Sequence, residues 1–234
     1  MKILVIIPAF NEEQNLPGLF HKLQRIQELL QFDIVVVNDK SSDGTSAVSR
    51  RFQGITIDLP VNLGIGGAVQ TGYKYAAANG YDIAIQVDGD GQHNPEYIVR
   101  MVEMIRSGQA DMVIGSRFLE GQGFQSTFLR RIGIKYFSAV IRLMTRMTVT
   151  DPTSGFRACS KEIIQLFAMR YPQDYPEPES LILMKRFSYK VKEIPVLMNE
   201  RRNGTSSINL WKSVYYMVKV TAAIMIDSLR KQAI

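Results

Sequence analysis

The sequence predicts an α/β fold: a Rossmann-like, mostly parallel central sheet flanked by helices on both faces, with a C-terminal amphipathic helix. Three observations carry that expectation. Short β-branched runs alternate with stretches whose apolar residues recur every three or four positions. The chain has 234 residues, 46% of them hydrophobic, enough for one α/β domain with a large buried core. Polar, glycine-marked turns follow the strand-like runs, and the carboxyl ends of strands are where such sheets bind ligands.

The first half supplies strands at 3–7, 34–37, 55–59, 83–87 and 112–114, each rich in Ile or Val and bounded by polar, Gly or Pro residues. Helical patterns at 12–30, 44–52, 67–79 and 95–107 lie between them. Asn94 before Pro95 is a good helix start, Ser42 or Asp43 is an N-cap for the helix at 44, and Glu12 and Glu13 put favourable charge in a first turn. The second half is less regular. Residues 128–147, 160–167 and 179–187 read as helices and 192–196 as a strand; an Asn/Gly/Ser-rich loop at 199–209 precedes another helical stretch from 210. The domain is therefore expected over 1–209, with 210–234 as a helix that meets a membrane surface or a second subunit.

Charge and cysteine usage bound the function. Lys and Arg number 28 against 22 Asp and Glu, a net charge of +6. Such a chain suits nucleic acid, anionic lipid or a phosphorylated ligand. The single cysteine, Cys159, excludes a disulfide framework and fits an intracellular compartment as a small core residue. No run approaches the ~18 uninterrupted apolar residues of a spanning helix, and the N-terminus has no signal-peptide exit. A soluble or membrane-surface protein is expected. No nucleic-acid motif accompanies the basic stretches, so nucleic acid is not expected as a partner.

Chemistry concentrates after the strands. Asp88-Gly89-Asp90-Gly91-Gln92 follows the fourth strand. Carboxylates at i and i+2, spaced by glycines that permit sharp turning, can converge on a hard divalent cation with Gln92 as a neutral oxygen ligand. Mg²⁺ takes few carboxylates and completes its shell with substrate phosphates, which suits a nucleotide diphosphate. His93 is a weaker ligand candidate. Asp39, after the second strand, can accept a hydrogen bond from a base or a ribose. The run 62–68 lacks the third glycine of a dinucleotide fingerprint, because that position is Val69. A glycine loop passing close to a sugar or phosphate at Gly66 is the better reading.

Seven blocks then occur together and in order: IIPAFNEE at 6–13, VVVNDKSSDGT at 35–45, NLGIGGAVQTGY at 62–73, QVDGDGQHNPE at 86–96, IGSRF at 114–118, DPTSGFRA at 151–158, and EIPV with RRNGTSSI at 193–208. In these the chain resembles the family 2 glycosyltransferases, and among them the polyprenyl-phosphate hexose synthases of the dolichol-phosphate mannose synthase type. The resemblance implies a GT-A fold, a UDP-, GDP- or dTDP-sugar donor, Mg²⁺ or Mn²⁺, and inversion at the anomeric carbon. It implies that Pro8, Phe10 and Glu12 frame the nucleoside, Val37 and Asp39 hold the base, and Asp88, Asp90 and Gln92 hold the metal. It places Arg117, Arg130 or Arg131, and Arg201 on the donor diphosphate and the acceptor phosphate, which suits the guanidinium fork.

The acceptor remains a fork. A polyprenyl phosphate is already anionic, its second pKa being ~6, and needs only positioning. A hydroxyl on a lipid-linked saccharide, as in cell-wall or capsular polysaccharide assembly, needs a carboxylate base, for which Glu177, Glu179 and Asp151 are candidates. From 121 to 150 there is no acidic residue, while Arg130, Arg131, Lys135, Arg142 and Arg146 interleave with apolar residues. That is the pattern of an interfacial helix able to meet anionic lipid and a polyprenyl chain. The expected location is the cytoplasm, peripheral on the inner face of the cell membrane, with a second subunit or a membrane protein as a further partner.

Overall fold

The structure, a computed structural model, describes residues 1–52, 54–120, 128–199, 219 and 221, without the side chains of 128–130. A seven-stranded sheet is formed by β1 (Ile3–Ala9), β2 (Asp33–Asn38), β3 (Ile55–Asp58), β4 (Ile83–Gln86), β5 (Met112–Ser116), β6 (Arg157–Ser160) and β7 (Val191–Pro195). The spatial order is β3-β2-β1-β4-β6-β5-β7, and only β6 runs against its neighbours. Helices α1 (Leu16–Gln27), α2 (Thr45–Arg51), α3 (Gly64–Ala78), α4 (Tyr97–Arg106), α5 (Phe128–Thr145), α6 (Lys161–Met169) and α7 (Pro176–Arg186) cover both faces.

The two-residue period of the strands divides the core into two layers. Ile3, Val5 and Ile7 pack with Leu19 and Leu23 of α1 and Met101 of α4. Leu4 and Ile6 pack with Val69 and Tyr73 of α3 and Phe167 of α6. Burial on both faces is why β1 reads as one unbroken apolar run. Cys159 is a core residue, 3.4 Å from the Tyr73 hydroxyl, and burial pushes its thiol up to about 11.

Several boundaries depart from expectation for physical reasons. Helix α1 begins at Leu16, with Pro17 in its first turn, so Glu12 and Glu13 lie ahead of it; the Glu12 carbonyl accepts from the amides of Asn15 and Leu16. Helix α4 begins at Tyr97, not Pro95, because Asn94 Oδ1 accepts from the Glu96 amide in a local turn first. Helix α7 starts on Pro176, a residue preorganised for a first helical position. Strand β6 was not expected: it has four residues and opens with an arginine.

The strand order reverses between β1 and β4, leaving a crevice at their carboxyl ends. Because β6 is antiparallel, its amino end lies on that same edge and brings residues 151–156 to it. Of the expected C-terminal helix, Lys219 and Thr221 are described, and both hold to the body of the domain. Lys219 Nζ is 2.8 Å from Asp174 and above the Tyr175 ring, and Thr221 Oγ1 is 3.0 Å from the Tyr136 hydroxyl on α5. The rest of 210–234 lies outside the described residues. Among the described residues no helix is long and apolar enough to cross a membrane.

Candidate functional site

The loops after β1 and β2 brace one another. Asn11, at φ 57°, donates its amide to Ser41 Oγ, and its Oδ1 accepts from the Ser42 amide. Lys40, at φ 61°, also holds the left-handed conformation, which is uncommon for a side-chain-bearing residue and clusters at functional turns. The Glu12 amide donates to Thr45 Oγ1, and Glu12 Oε2 accepts from Asn15 Nδ2. Phe10 is 50% exposed at the rim. Asp39 is buried, with Oδ1 accepting from the Leu63 amide at 2.6 Å and its own amide donating to Ala9.

Two of the expected nucleotide contacts sit differently from the rest. Val37 is fully buried in the core, so its side chain has no surface for a base. Gly66 lies on α3 against another loop: a Cβ there would stand 2.1 Å from the Gln173 carbonyl oxygen. Its missing side chain therefore serves a close backbone approach. Gly89 does the same for the site itself, since a Cβ would lie 3.1 Å from the Pro8 carbonyl oxygen and 3.4 Å from Glu12 Cγ. The metal-type turn thus abuts the nucleoside-side loop.

Within that turn, Asp90 Oδ1 accepts from the Gln92 amide, and Gly91 turns the chain at φ 73°. The Asp88 amide donates to His93 Nδ1 at 3.0 Å, and His93 Nε2 is 3.6 Å from Asp88 Oδ2. His93 is buried and stacked on Phe156, so it props the turn from beneath. Gln86 Nε2 donates to Asp88 Oδ1 at 3.1 Å. Gln86 Oε1 is the buried side-chain polar atom left without a partner among the described residues, a condition that costs about 1–3 kcal/mol. Asn199 bolts the next segment on: its amide donates to the Gln92 carbonyl at 2.8 Å, and Gln92 Nε2 donates back to the Asn199 carbonyl.

Across the crevice Arg117 is clamped by Asp151. Nε donates to Oδ2 at 2.6 Å and Nη2 to Oδ1 at 2.7 Å, with Nη2 also reaching Thr153 Oγ1. Asp151 is fully buried. Beneath it, Glu193 of β7 accepts from the Thr150 amide at 2.7 Å, the Asp151 amide at 2.9 Å and the Thr150 hydroxyl. Burial pushes the Glu193 carboxyl above its ordinary value despite those bonds. Arg157 is buried without a carboxylate partner among the described residues; it donates to the carbonyls of Pro152 and Ser154 and to Ser180 Oγ. Asp88, Gln92, His93, Arg117 and residues 153–155 enclose a polar cavity of ≈ 50 Å³.

A second and larger space is lined from the residue after Arg117 on, Phe118. Phe118, Thr150 and one face of α5 line a groove of ≈ 920 Å³ that carries Arg131, Lys135, Arg142 and Arg146 among Ile134, Ala139, Leu143 and Val149. The apolar stripe of α5 is split. Phe137 and Ile141 enter the core, whereas Ile132, Tyr136 and Leu143 are exposed. The Arg130 side chain and Arg201 lie outside the described residues. Glu179 is half-buried in the first turn of α7.

The donor set fits a divalent cation of the open, two-carboxylate kind. The Asp88 side chain is 35% exposed, Asp90 is two residues on, and Gln92 donates from Nε2 to Asn199, leaving an amide oxygen of the kind a hard cation accepts. No group of three His, Cys, Asp or Glu able to hold a metal occurs among the described residues. Sequence reasoning did not assign roles to Gln86, Arg157, Thr153, Gly155 or Glu193. The EIPV block contained Glu193, but its partners are 42 and 43 residues away.

Known proteins give this geometry a context. Residues 4–167 match the family described as Glycosyl transferase family 2. A dolichol-phosphate mannosyltransferase of Pyrococcus furiosus is 32% identical over 89% of this chain and 59% of its own length. This chain thus spans less than two thirds of that relative. An undecaprenyl-phosphate mannosyltransferase of Micrococcus luteus is 30% identical over 89% of this chain and 88% of its own. Among solved structures, glucosyl-3-phosphoglycerate synthase of Mycobacterium tuberculosis with phosphoglyceric acid superposes with a TM-score of 0.75 at 19% identity, covering 99% of this chain and 81% of that one. The same enzyme with Mn²⁺, UDP-glucose and phosphoglyceric acid also gives 0.75, at 18% identity. These likenesses bear on the fold.

Proposed function

The chain belongs to glycosyl transferase family 2 and has a GT-A fold, and from that premise we propose that it moves a hexose from a nucleotide-sugar to a polyprenyl phosphate. The observation that carries this reading is the junction of two unlike spaces. Arg117 lines the polar cavity with Asp88, and the next residue, Phe118, lines the basic and apolar groove along α5, so consecutive residues bring the two spaces side by side. A sugar diphosphate suits the first space and a phosphate on a long apolar chain suits the second.

Asp88, Asp90 and Gln92 would hold Mg²⁺ or Mn²⁺, which when bound supplies Lewis-acid stabilisation to a leaving diphosphate. Phe10, Glu12, Asp39 and the main chain at Pro8 border the place for the nucleoside, whether uridine, guanosine or thymidine. Arg117, held by Asp151, presents its remaining N–H groups to the cavity, in a position set before substrate arrives. Arg131, with Arg130 and Arg201, would take the acceptor phosphate. In a single inverting displacement an acceptor phosphate oxygen bonds to the anomeric carbon. The bond from that carbon to the diphosphate oxygen breaks, and its electron pair leaves with the nucleoside diphosphate. No proton has to be removed from an anionic phosphate. A hydroxyl acceptor would need a general base, and Asp151 is fully committed to Arg117 and closed to solvent.

The groove's cations and the exposed Leu143, Ile132 and Tyr136 support peripheral work at the inner face of the cell membrane. Incubation with Mn²⁺, a panel of UDP-, GDP- and dTDP-sugars and undecaprenyl phosphate, followed by analysis of the lipids, should yield one lipid-phosphate sugar. Transfer to a saccharide hydroxyl with no lipid-phosphate product from any donor would overturn the reading.

A further inference from the structure

Gln86 ends β4 in a place built for an apolar residue. It is fully buried, it follows Ile83, Ala84 and Ile85, and Val87 comes next, every one of them buried. Its register partners are Ile6 on β1 and Arg157 on β6. Arg157 does not satisfy it, because the guanidinium donates to Ser154, Ser180 and Pro152 instead. The amide carbonyl is consequently orphaned, while the amide nitrogen reaches Asp88 Oδ1 at 3.1 Å.

The opposite amide orientation would set Gln86 Oε1 against the Asp88 carboxylate, oxygen facing oxygen. The bond from Nε2 to Asp88 therefore dictates the orientation that leaves Oε1 without a partner. The surroundings preserve the contact: at Gly155 a Cβ would stand 2.8 Å from Gln86 Nε2 and 3.1 Å from each Asp88 oxygen. The backbone of Asp88 is fixed separately by His93 Nδ1. His93 Nε2 comes no nearer than 3.6 Å to Asp88 Oδ2, so among the described residues the hydrogen bond to the carboxylate itself is the one that Gln86 donates to Oδ1.

We infer that Gln86 is a positioning residue: it fixes the Asp88 carboxylate in the orientation that meets the cation and the donor diphosphate. The inference rests on the function proposed above and adds to it a residue that touches neither ligand. An interior amide kept for packing would make the protein less stable when removed. An amide kept to aim Asp88 behaves the other way, because an apolar residue of the same shape removes the orphaned carbonyl together with the donor.

Gln86→Met and, as a second packing solution, Gln86→Leu test this by two readouts. Thermal unfolding of the metal-free protein is expected to show at least one variant as stable as wild type or more so. Calorimetric titration with Mn²⁺ and UDP, GDP or dTDP is expected to show Mn²⁺-dependent nucleotide affinity weakened by about 10- to 100-fold, as for other partners that orient a metal's ligands. The KM for the donor should rise in parallel. Wild-type affinity in a folded variant, or loss of stability in both, would overturn the inference while leaving the proposed function standing. Absence of Mn²⁺-dependent nucleotide binding by the wild type itself would overturn both.

Discussion

On the side of β1, β2 and β4, the polar groups that face the crevice are tied to one another. Asp39 holds the Leu63 amide, Asn11 holds Ser41 and Ser42, and Asp88 is met by Gln86 and His93. Along α5 the opposite arrangement prevails: Arg131, Lys135, Arg142 and Arg146 line the groove, and none is paired with a carboxylate among the described residues. The difference follows from what each side is proposed to recognise. A compact, polar nucleotide-sugar is bound by directional groups that must be aimed beforehand. A phosphate on a long apolar chain asks for width, apolar wall and cations on flexible stems that adapt to it. Arg117 stands at the boundary and belongs to the first kind, since Asp151 fixes its fork.

The comparison breaks most plainly at the metal-type turn. Asp90→Ala is expected to lower nucleotide-sugar turnover by at least about a hundredfold, the order seen when one preorganised electrostatic group is lost. Circular dichroism should show the fold retained, because Asp90 is partly exposed. Undiminished steady-state turnover would remove the metal role from this turn. A smaller and different effect belongs to the groove. Arg131→Gln with Lys135→Gln should reduce binding to anionic vesicles by about thirtyfold, at about 1 kcal/mol for each basic side chain near the surface. Raising the salt concentration should shrink that gap. The donor KM should be unchanged, and a rise in it would mean that the two sides are not separate.

How much of this could be read from the chain divides along the same line. The donor side was legible because each element is short and local: a β-branched run, then a motif such as Asp88-Gly89-Asp90 whose spacing carries its chemistry. The groove was legible only as composition, an acid-free basic stretch, since a surface for a lipid chain has no fixed spacing. Strand β6 escaped notice because Arg157 opens it, and a buried arginine is admissible there only because three acceptors from 152, 154 and 180 converge on it. Val37 was assigned to the base from its motif, yet strand alternation turns its side chain into the core. Glu193 makes contacts 42 and 43 residues away that no local pattern announces, and Gln86, although two residues from Asp88, sits within a run of buried apolar residues that hides it.

Gly66 separates a ligand-loop glycine from a packing one. With the Gln173 carbonyl oxygen 2.1 Å from where its Cβ would be, Gly66→Ala should destabilise the fold by about 1–3 kcal/mol through overpacking. Donor affinity per folded molecule should be kept. A variant of native stability with weakened donor binding would return Gly66 to the nucleotide-sugar site.

The smallest expected effect sharpens the boundary between the two regions. Glu193 lies under Thr150 and Asp151, and so under the clamp that orients Arg117. In Glu193→Gln the amide oxygen can still accept from the Asp151 amide and the Thr150 hydroxyl, but the new NH₂ faces the Thr150 amide, donor against donor. A loss of about 1 kcal/mol is expected from that one mismatched bond. Its pH dependence has a definite sign. Burial raises the Glu193 carboxyl, so the folded protein binds this proton more tightly than the unfolded chain does. The destabilisation from ionising it is present above the folded pKa and is relieved as the pH falls through the window between the raised value and the ordinary one. The glutamine variant has no such proton to bind. The melting-temperature gap between wild type and Glu193→Gln should therefore widen toward acid within that window, and a gap that narrows there would show that Glu193 is held ionised by the 150–151 turn more strongly than burial opposes it.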